Sequence, residues 1–411
     1  MLQITLQHFF MLGATVALYR NAYTGLNRRM WLLAIVMLIN RSGTMVLPFM
    51  TLYCKHIGYS TKQAGLVVAI YGIGALVGAF IGGKISDRFG FYLTQFMALF
   101  CGGILFITLG LMNTYISICI CTFFLSMVNE SFRPANATAI AHYSTAKNRT
   151  QAFSIVRLAI NLGWGVGGAL GGLLASINYH LLFWVDGFTN ISAGLLLLWL
   201  LPRVSLSQQK NVDVQNTSRV KPIPAYTDKK FLKFIGLQVL FAFCFFQLFT
   251  TIPLYFNEGL HINEFWIGAL MSMNGLLIVF FEMVIVFKLE GRLPYLKLMT
   301  YGSIIMGIAF FVLNIPLLHG FVIAVISMLI ITIAEMVAMP FMNSYYISRS
   351  SEGNRGQYAA YYTMAWSAAQ ALGSTGGTQI LNSVGYQNLW WIIGTICLLA
   401  AAGYNYLNQK S

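Results

Sequence analysis

Long apolar runs broken by short polar turns repeat along the chain, and twelve of them approach the ~20 residues that a helix needs to cross a bilayer. In the first half they run Met30–Tyr53, Ala64–Gly83, Tyr92–Leu111, Thr114–Ile140, Ala152–Ser176 and Leu181–Leu201. In the second they run Phe231–Phe256, Phe265–Phe287, Leu296–Ile315, Phe321–Tyr345, Gln357–Leu381 and Leu389–Leu407. The pattern predicts an all-α integral membrane protein of twelve spans, with residues 30–201 and 231–408 as two six-helix bundles and 202–230 as a polar linker. Met1 to Tyr19 is apolar but lacks the basic start of a signal peptide, so residues 1–29 are expected to form a helix lying on the membrane surface.

The polar connections carry a second pattern. Arg28 and Arg29, Lys84 and Arg88, Lys147 and Arg149, the linker, Lys288 with Arg292 and Lys297, and Arg349 with Arg355 fall in every other connection, while the alternate ones hold little beyond Lys55 and Lys62. Cytoplasmic loops carry the excess of basic residues, so both termini and the linker are expected in the cytoplasm, and the protein in a bacterial inner membrane.

A repeat relates the two halves. Asn148-Arg149-Thr-Gln151 recurs as Asn354-Arg355-Gly-Gln357, 206 residues later, and Pro134 matches Pro340 at the same offset. Glu130 and Glu335 match within one residue. Such internal duplication marks transporter folds.

Composition agrees: 58% of residues are hydrophobic, 9% are charged, and the mean hydropathy is +0.70, far from a soluble domain with roughly a quarter charged. The net charge of +14 is spread over short loops rather than one basic-aromatic surface, which argues against nucleic acid as a partner. Lipid, a small-molecule substrate and protons are the expected partners, and a monomer is expected. The six cysteines lie in or beside apolar runs, and the six histidines are scattered without ligand spacing. Neither set points to a metal or a cofactor.

Charges inside spans are costly and usually mark a pathway. Arg41 stands 11 residues into the first run, roughly 16 Å deep, too far to snorkel, and is read either as an anion-binding group beside Asn40 or as half of a buried ion pair. Glu130 and Arg133 are three apart on one helix face and able to pair, with a bend expected where Pro134 leaves the Glu130 carbonyl without a partner. Glu335 has no basic residue in its own turn. It is the first candidate for a coupled proton, with Glu130 its counterpart, unless Arg41 or Arg133 pairs with it across helices. Glu282 and Asp186 sit within about two turns of a membrane face, where snorkelling or a structural contact is expected. Gln247, Phe246, Tyr361 and Trp366 are candidate cavity residues among the aromatics of the seventh and eleventh spans, for which lipid-facing or packing roles are the alternative. No H-E-x-x-H, no G-x-S-x-G and no histidine cluster supports a membrane enzyme or receptor.

Two motifs carry a family resemblance. Gly83-Lys-Ile-Ser-Asp87-Arg88-Phe-Gly90 resembles the loop between the second and third helices of the major facilitator superfamily, although Phe91 and Tyr92 stand where that family usually has basic residues. Gly163-Trp-Gly-Val-Gly167-Gly168-Ala-Leu-Gly171-Gly172 on the fifth span places glycines four apart, as close helix packing requires. It is also similar to the antiporter motif of the drug:proton antiporter branch, with Gly168 in place of a proline. The resemblance implies two bundles opening alternately around a central site. It further implies that Asp87 caps the eleventh helix near Gly356 and Gln357 and, with Arg88, steadies the outward-facing state. Proton-coupled efflux of amphipathic compounds is the reading favoured. Arg41, Arg133-Pro134-Ala-Asn136 and Arg157 with Ile160-Asn161-Leu-Gly163 echo proton-coupled oligopeptide transporters, which keeps uptake of a peptide-like or carboxylate solute as the alternative.

The topology is testable with single cysteines at Ser207 and Ser411. An impermeant thiol reagent is expected to label both only from the cytoplasmic side, and labelling of either from outside intact cells would overturn the orientation.

Overall fold

The computed structural model describes residues 19–202, 223–315, 320–351 and 353–410. The expectations for Met1 to Tyr19 therefore fall outside it, except for Tyr19, and so do those for most of the linker. The described chain is helical throughout, and the twelve expected spans are present. The last helix, Arg355–Gln409, holds two of them, joined at Gly385, whose φ of 76° only glycine adopts readily.

Three spans are interrupted. The first divides into Arg28–Ser42 and Val46–His56 around Gly43. A side chain at Gly43 would lie 1.7 Å from Thr189 Oγ1, so the break packs directly on the sixth span, His180–Leu200. The fourth divides into Tyr115–Glu130 and Phe132–Tyr143, three residues before Pro134, whose missing N–H leaves the Glu130 carbonyl without its helical partner. The seventh divides into Lys229–Phe245 and Thr251–Glu258 through a 3-10 turn, Phe246–Phe249. The tenth, Gly320–Arg349, runs unbroken through Pro340.

Broken spans expose backbone groups, which inside a membrane must find partners in the protein. Asp186 supplies them in the first: its carboxylate accepts the N–H groups of Met45 at 3.0 Å and Val46 at 2.8 Å. Asp186 is 1% exposed, so of the two roles expected, snorkelling or a structural contact, it takes the structural one. In the seventh, Gln247 is fully buried, donates to the carbonyls of Phe243 and Gly373, and accepts from Thr251. The cavity role expected of Gln247 is thus replaced by a structural one, because its polar atoms are spent inside the helix pair.

The repeat is visible as matched contacts. The fifth span, Arg149–Ile177, packs on the first through Gly163, Gly167 and Gly171, where a side chain would meet Arg41 at 2.5 Å, the Arg41 carbonyl at 3.2 Å and Phe49 at 3.0 Å. Gly172 faces open space, and the surroundings of Gly168 are not among those described. In the second half Gly373 and Gly377, matching Gly167 and Gly171 at the 206-residue offset, pack on Phe243 and Gln247 of the seventh span. At the helix starts Asn148 Nδ2 donates to the Gly25 carbonyl at 2.6 Å, and Asn354 Nδ2 donates to that of Ile223 at 2.7 Å. Each repeat thereby ties the entry of its first span to the start of its fifth.

Asp228 fastens the second bundle. It caps the seventh span through the N–H groups of Lys230 and Phe231, takes both Arg349 nitrogens at 2.8 Å, and accepts from the Tyr358 hydroxyl at 3.0 Å. Burial pushes its carboxyl up, but the donors from Phe231, Arg349 and Tyr358 outweigh that and hold it below the usual carboxylate range. A depressed carboxylate stabilises the fold above its unfolded pKa and loses that contribution as pH falls through the folded value. Asp228→Ala leaves Arg349 without its carboxylate and is expected to destabilise the protein by about 3 kcal/mol, the low end for breaking a largely buried pair. Thermal unfolding in detergent at neutral pH measures this, and the gap from wild type should narrow at acid pH.

Candidate functional site

Polar contacts between the two halves gather toward the face that bears the basic connections. Asp87, at the end of the second span Thr61–Phe89, accepts the N–H of Gly356 at 2.7 Å and of Gln357 at 2.9 Å. The carboxylate sits on the positive end of the eleventh helix, as helix dipoles favour. Gly83 makes the approach possible, since a side chain there would lie 2.6 Å from the Gly356 carbonyl. Gly90 turns the chain into the third span at a φ of 90°. Arg88 is exposed and lies over the Phe89 ring.

The connection after the eighth span, Glu264–Leu289, repeats this device more weakly. Burial pushes the Glu290 carboxyl up, while Thr150, Tyr295 and Arg149, two of them at the start of the fifth span, draw it back. Tyr295 donates to Glu290 at 2.8 Å, and Thr150 and Ser344 share a hydroxyl hydrogen bond across the halves.

Deeper between the halves lies a charge cluster that the sequence did not reveal. Arg157 of the fifth span places Nη2 2.9 Å from Glu335 Oε2 on the tenth and Nη1 3.0 Å from Glu282 Oε2 on the eighth. Both carboxylates are 2% exposed. Asn274 bridges on the far side, donating to Glu335 Oε1 at 3.0 Å and to the Thr332 hydroxyl at 2.9 Å. One expectation is corrected here: the partner of Glu335 is Arg157, not Arg41 or Arg133. Glu282, for which snorkelling or a structural contact is expected, is buried at a helix interface in contact with Arg157. Glu282 and Arg157 lie 7 and 8 residues inside the ends of their helices, and only the crossing of those helices turns them toward each other.

A second polar site opens within the first half, beside the break of the first span. Asn40, Arg41, Tyr71, Asn129, Glu130, Arg133, Asp186 and Asn190 line a small cavity whose apolar wall includes Trp164. Arg133 Nε lies 2.7 Å from Glu130 Oε2, the expected pairing. Asn40 donates to Asn190 at 2.9 Å, and Asn190 to the Asp186 carbonyl. Glu130 is thus committed to Arg133, whereas Glu335 shares its cation with a second acid. Tyr71 and Asn129, overlooked in the sequence, stand on the second and fourth spans with nothing in their local pattern to single them out.

In the second half Phe245, Phe246 and Tyr362 surround Trp366, with ring centroids 5.7, 5.8 and 6.4 Å from it. Tyr361 lies apart, edge-on to Phe231 at 6.3 Å. Among the described residues no three His, Cys, Asp or Glu side chains converge as a metal centre.

Two duplicated six-helix bundles, held together at one face and carrying buried charges between them, define a non-enzymatic membrane transporter. The Major Facilitator Superfamily profile matches residues 30–374, and the chain belongs to that superfamily. It is 23% identical over 364 residues to a Na(+), Li(+), K(+)/H(+) antiporter of Planococcus maritimus, covering 81% of this chain and 85% of that one. It is 20% identical over 370 residues to multidrug resistance protein MdtH of Proteus mirabilis (strain HI4320), covering 88% and 89%. Among solved structures, a bacterial homologue of the iron transporter ferroportin in an outward-facing state aligns with a TM-score of 0.73 at 13% identity, covering 93% of this chain and 100% of that one.

Replacing the Asp87 carboxylate by an amide leaves one acceptor for the two N–H groups and takes the charge from the helix start, which costs the state in which this face is closed about 1–2 kcal/mol, roughly a ten-fold shift between states. Asp87→Asn is therefore expected to slow transport in vesicles about ten-fold while leaving equilibrium binding of the transported solute within about two-fold. Loss of binding in a correctly folded variant would remove Asp87 from the gate.

Proposed function

We propose that this transporter exports amphipathic organic compounds in exchange for protons, and that Glu335 and Glu282, sharing Arg157, carry the proton. The observation that supports it is the charge count of that cluster: two buried carboxylates meet one guanidinium, so the site reaches neutrality by taking up one proton. Its position supports the coupling, because the arginine belongs to one half and both acids to the other. With the acids ionised, two ionic contacts hold the halves together toward the basic face, taken here as cytoplasmic. Protonation leaves one and loosens the closure. A proton entering from outside would favour opening to the cytoplasm, and its release there would restore the pair and close that face. The similarity to the Planococcus antiporter and to MdtH agrees with exchange and export, and the ring cluster around Trp366 offers a surface for the apolar part of a solute.

The test is accumulation in inside-out vesicles, with and without a proton gradient, of a panel of radiolabelled amphipathic compounds of both charge signs. Gradient-driven accumulation of at least one is expected. Glu335→Gln, which fixes the neutral form, is expected to abolish it while preserving exchange of solute for solute. A variant that concentrates solute at the wild-type rate would make Glu335 a structural residue, and uptake driven in the opposite direction would overturn export.

A further inference from the structure

We infer that the cavity beside the break of the first span binds a carboxylate group of the transported compound through Arg41, so that the substrates are amphipathic organic anions. This rests on the transporter reading above and narrows its substrate class.

Arg41 is packed closely and has no direct ion pair, although Glu130, itself paired with Arg133, lies within electrostatic reach. Gly163 and Gly167 let the fifth span lie directly on its backbone, with a would-be side chain at Gly163 only 2.5 Å from Arg41 Cβ, which anchors the base of the side chain beside the cavity. The acids nearby are engaged elsewhere: Glu130 with Arg133, and Asp186 with the N–H groups of Met45 and Val46. Among the described residues Arg41 makes no salt bridge, and its buried Nε has no hydrogen-bond acceptor. A guanidinium in that position carries a desolvation penalty that an entering carboxylate would offset, and its planar fork matches a carboxylate in two-point contact.

The duplication shows that the fold does not require a cation at this place. The residue equivalent to Arg41 at the 206-residue offset is Gln247, also beside a span break and packed against the matching glycines. Its neutral amide is fully satisfied within its own half. One half thus builds the break with a self-contained amide, and the other presents an unspent charge to a cavity. Trp164, 49% exposed on the cavity wall, supplies an aromatic face for the apolar remainder of a bound compound.

Calorimetric titration of the full-length protein in detergent, without any gradient, tests the inference with three probes: 1-naphthylacetate, the isosteric 1-naphthylacetamide, and acetate. The naphthyl acid is expected to bind saturably and at least about ten-fold more tightly than the amide or acetate, in line with a hydrogen bond to a charged group. Arg41→Gln should erase the preference for acid over amide, and Arg41→Lys should keep part of it. Equal affinity for acid and amide in the wild-type protein would overturn the inference, as would no saturable binding of the acid up to about 10 mM. Acetate binding as tightly as the naphthyl acid would overturn the amphipathic class and leave a simple anion site. The wild-type comparison needs no variant to fold. Because no gradient is applied, its failure is also separate from failure of proton coupling at Glu335.

Discussion

A charge or a free backbone group enclosed by hydrocarbon must be met by a partner, and the organisation of this transporter follows from where those partners come from. When the partner lies within one half, the result is rigid construction. Asp186 closes the break of the first span, Gln247 closes that of the seventh, and Asp228 binds three helices of the second bundle through Arg349, Tyr358 and the start of the seventh span. When the partner lies in the other half, the contact can be made and broken as the halves move. Asp87 on the eleventh helix and Arg157 between Glu282 and Glu335 are of that kind.

These two inter-half contacts differ in what controls them. Asp87 meets two backbone N–H groups at a helix start, a single carboxylate against the positive end of a helix. The Arg157 cluster holds unequal numbers of acids and bases, so its strength depends on protonation. In the proposed exchange cycle, Asp87 would supply a mechanical closure and the Arg157 cluster, on the same face, a reason for that closure to follow proton occupancy. Glu130 with Arg133 lacks this imbalance, which is why the proposed proton role rests on Glu335 and not on its counterpart in the repeat.

Departures from exact two-fold likeness are informative. Gly167 and Gly171 repeat as Gly373 and Gly377, and Asn148 repeats as Asn354, because close packing and helix entry impose the same demands on both bundles. Arg41 and Gln247 share a position but not a chemistry. Likewise the Asp87 connection makes two backbone contacts, whereas its counterpart Glu290 lies among Thr150, Tyr295 and Arg149. Construction is repeated, and chemistry has diverged on top of it.

The sequence by itself determined the spans, the duplication, the breaks near Pro134 and the Glu130–Arg133 pair. Each of these follows from local information: a run of apolar residues long enough for a bilayer, a motif recurring at constant spacing, a missing N–H, and two charges one helical turn apart. The contact of Asp87 with Gly356 and Gln357 was legible through a family resemblance. Only the tertiary structure decided which acid meets which base across helices. Arg157 joins Glu335 over 178 positions and Glu282 over 125, and Asp186 reaches the first span over 140. No periodicity in the sequence encodes which faces of two distant helices turn toward each other, because that choice is made by the packing of the whole bundle.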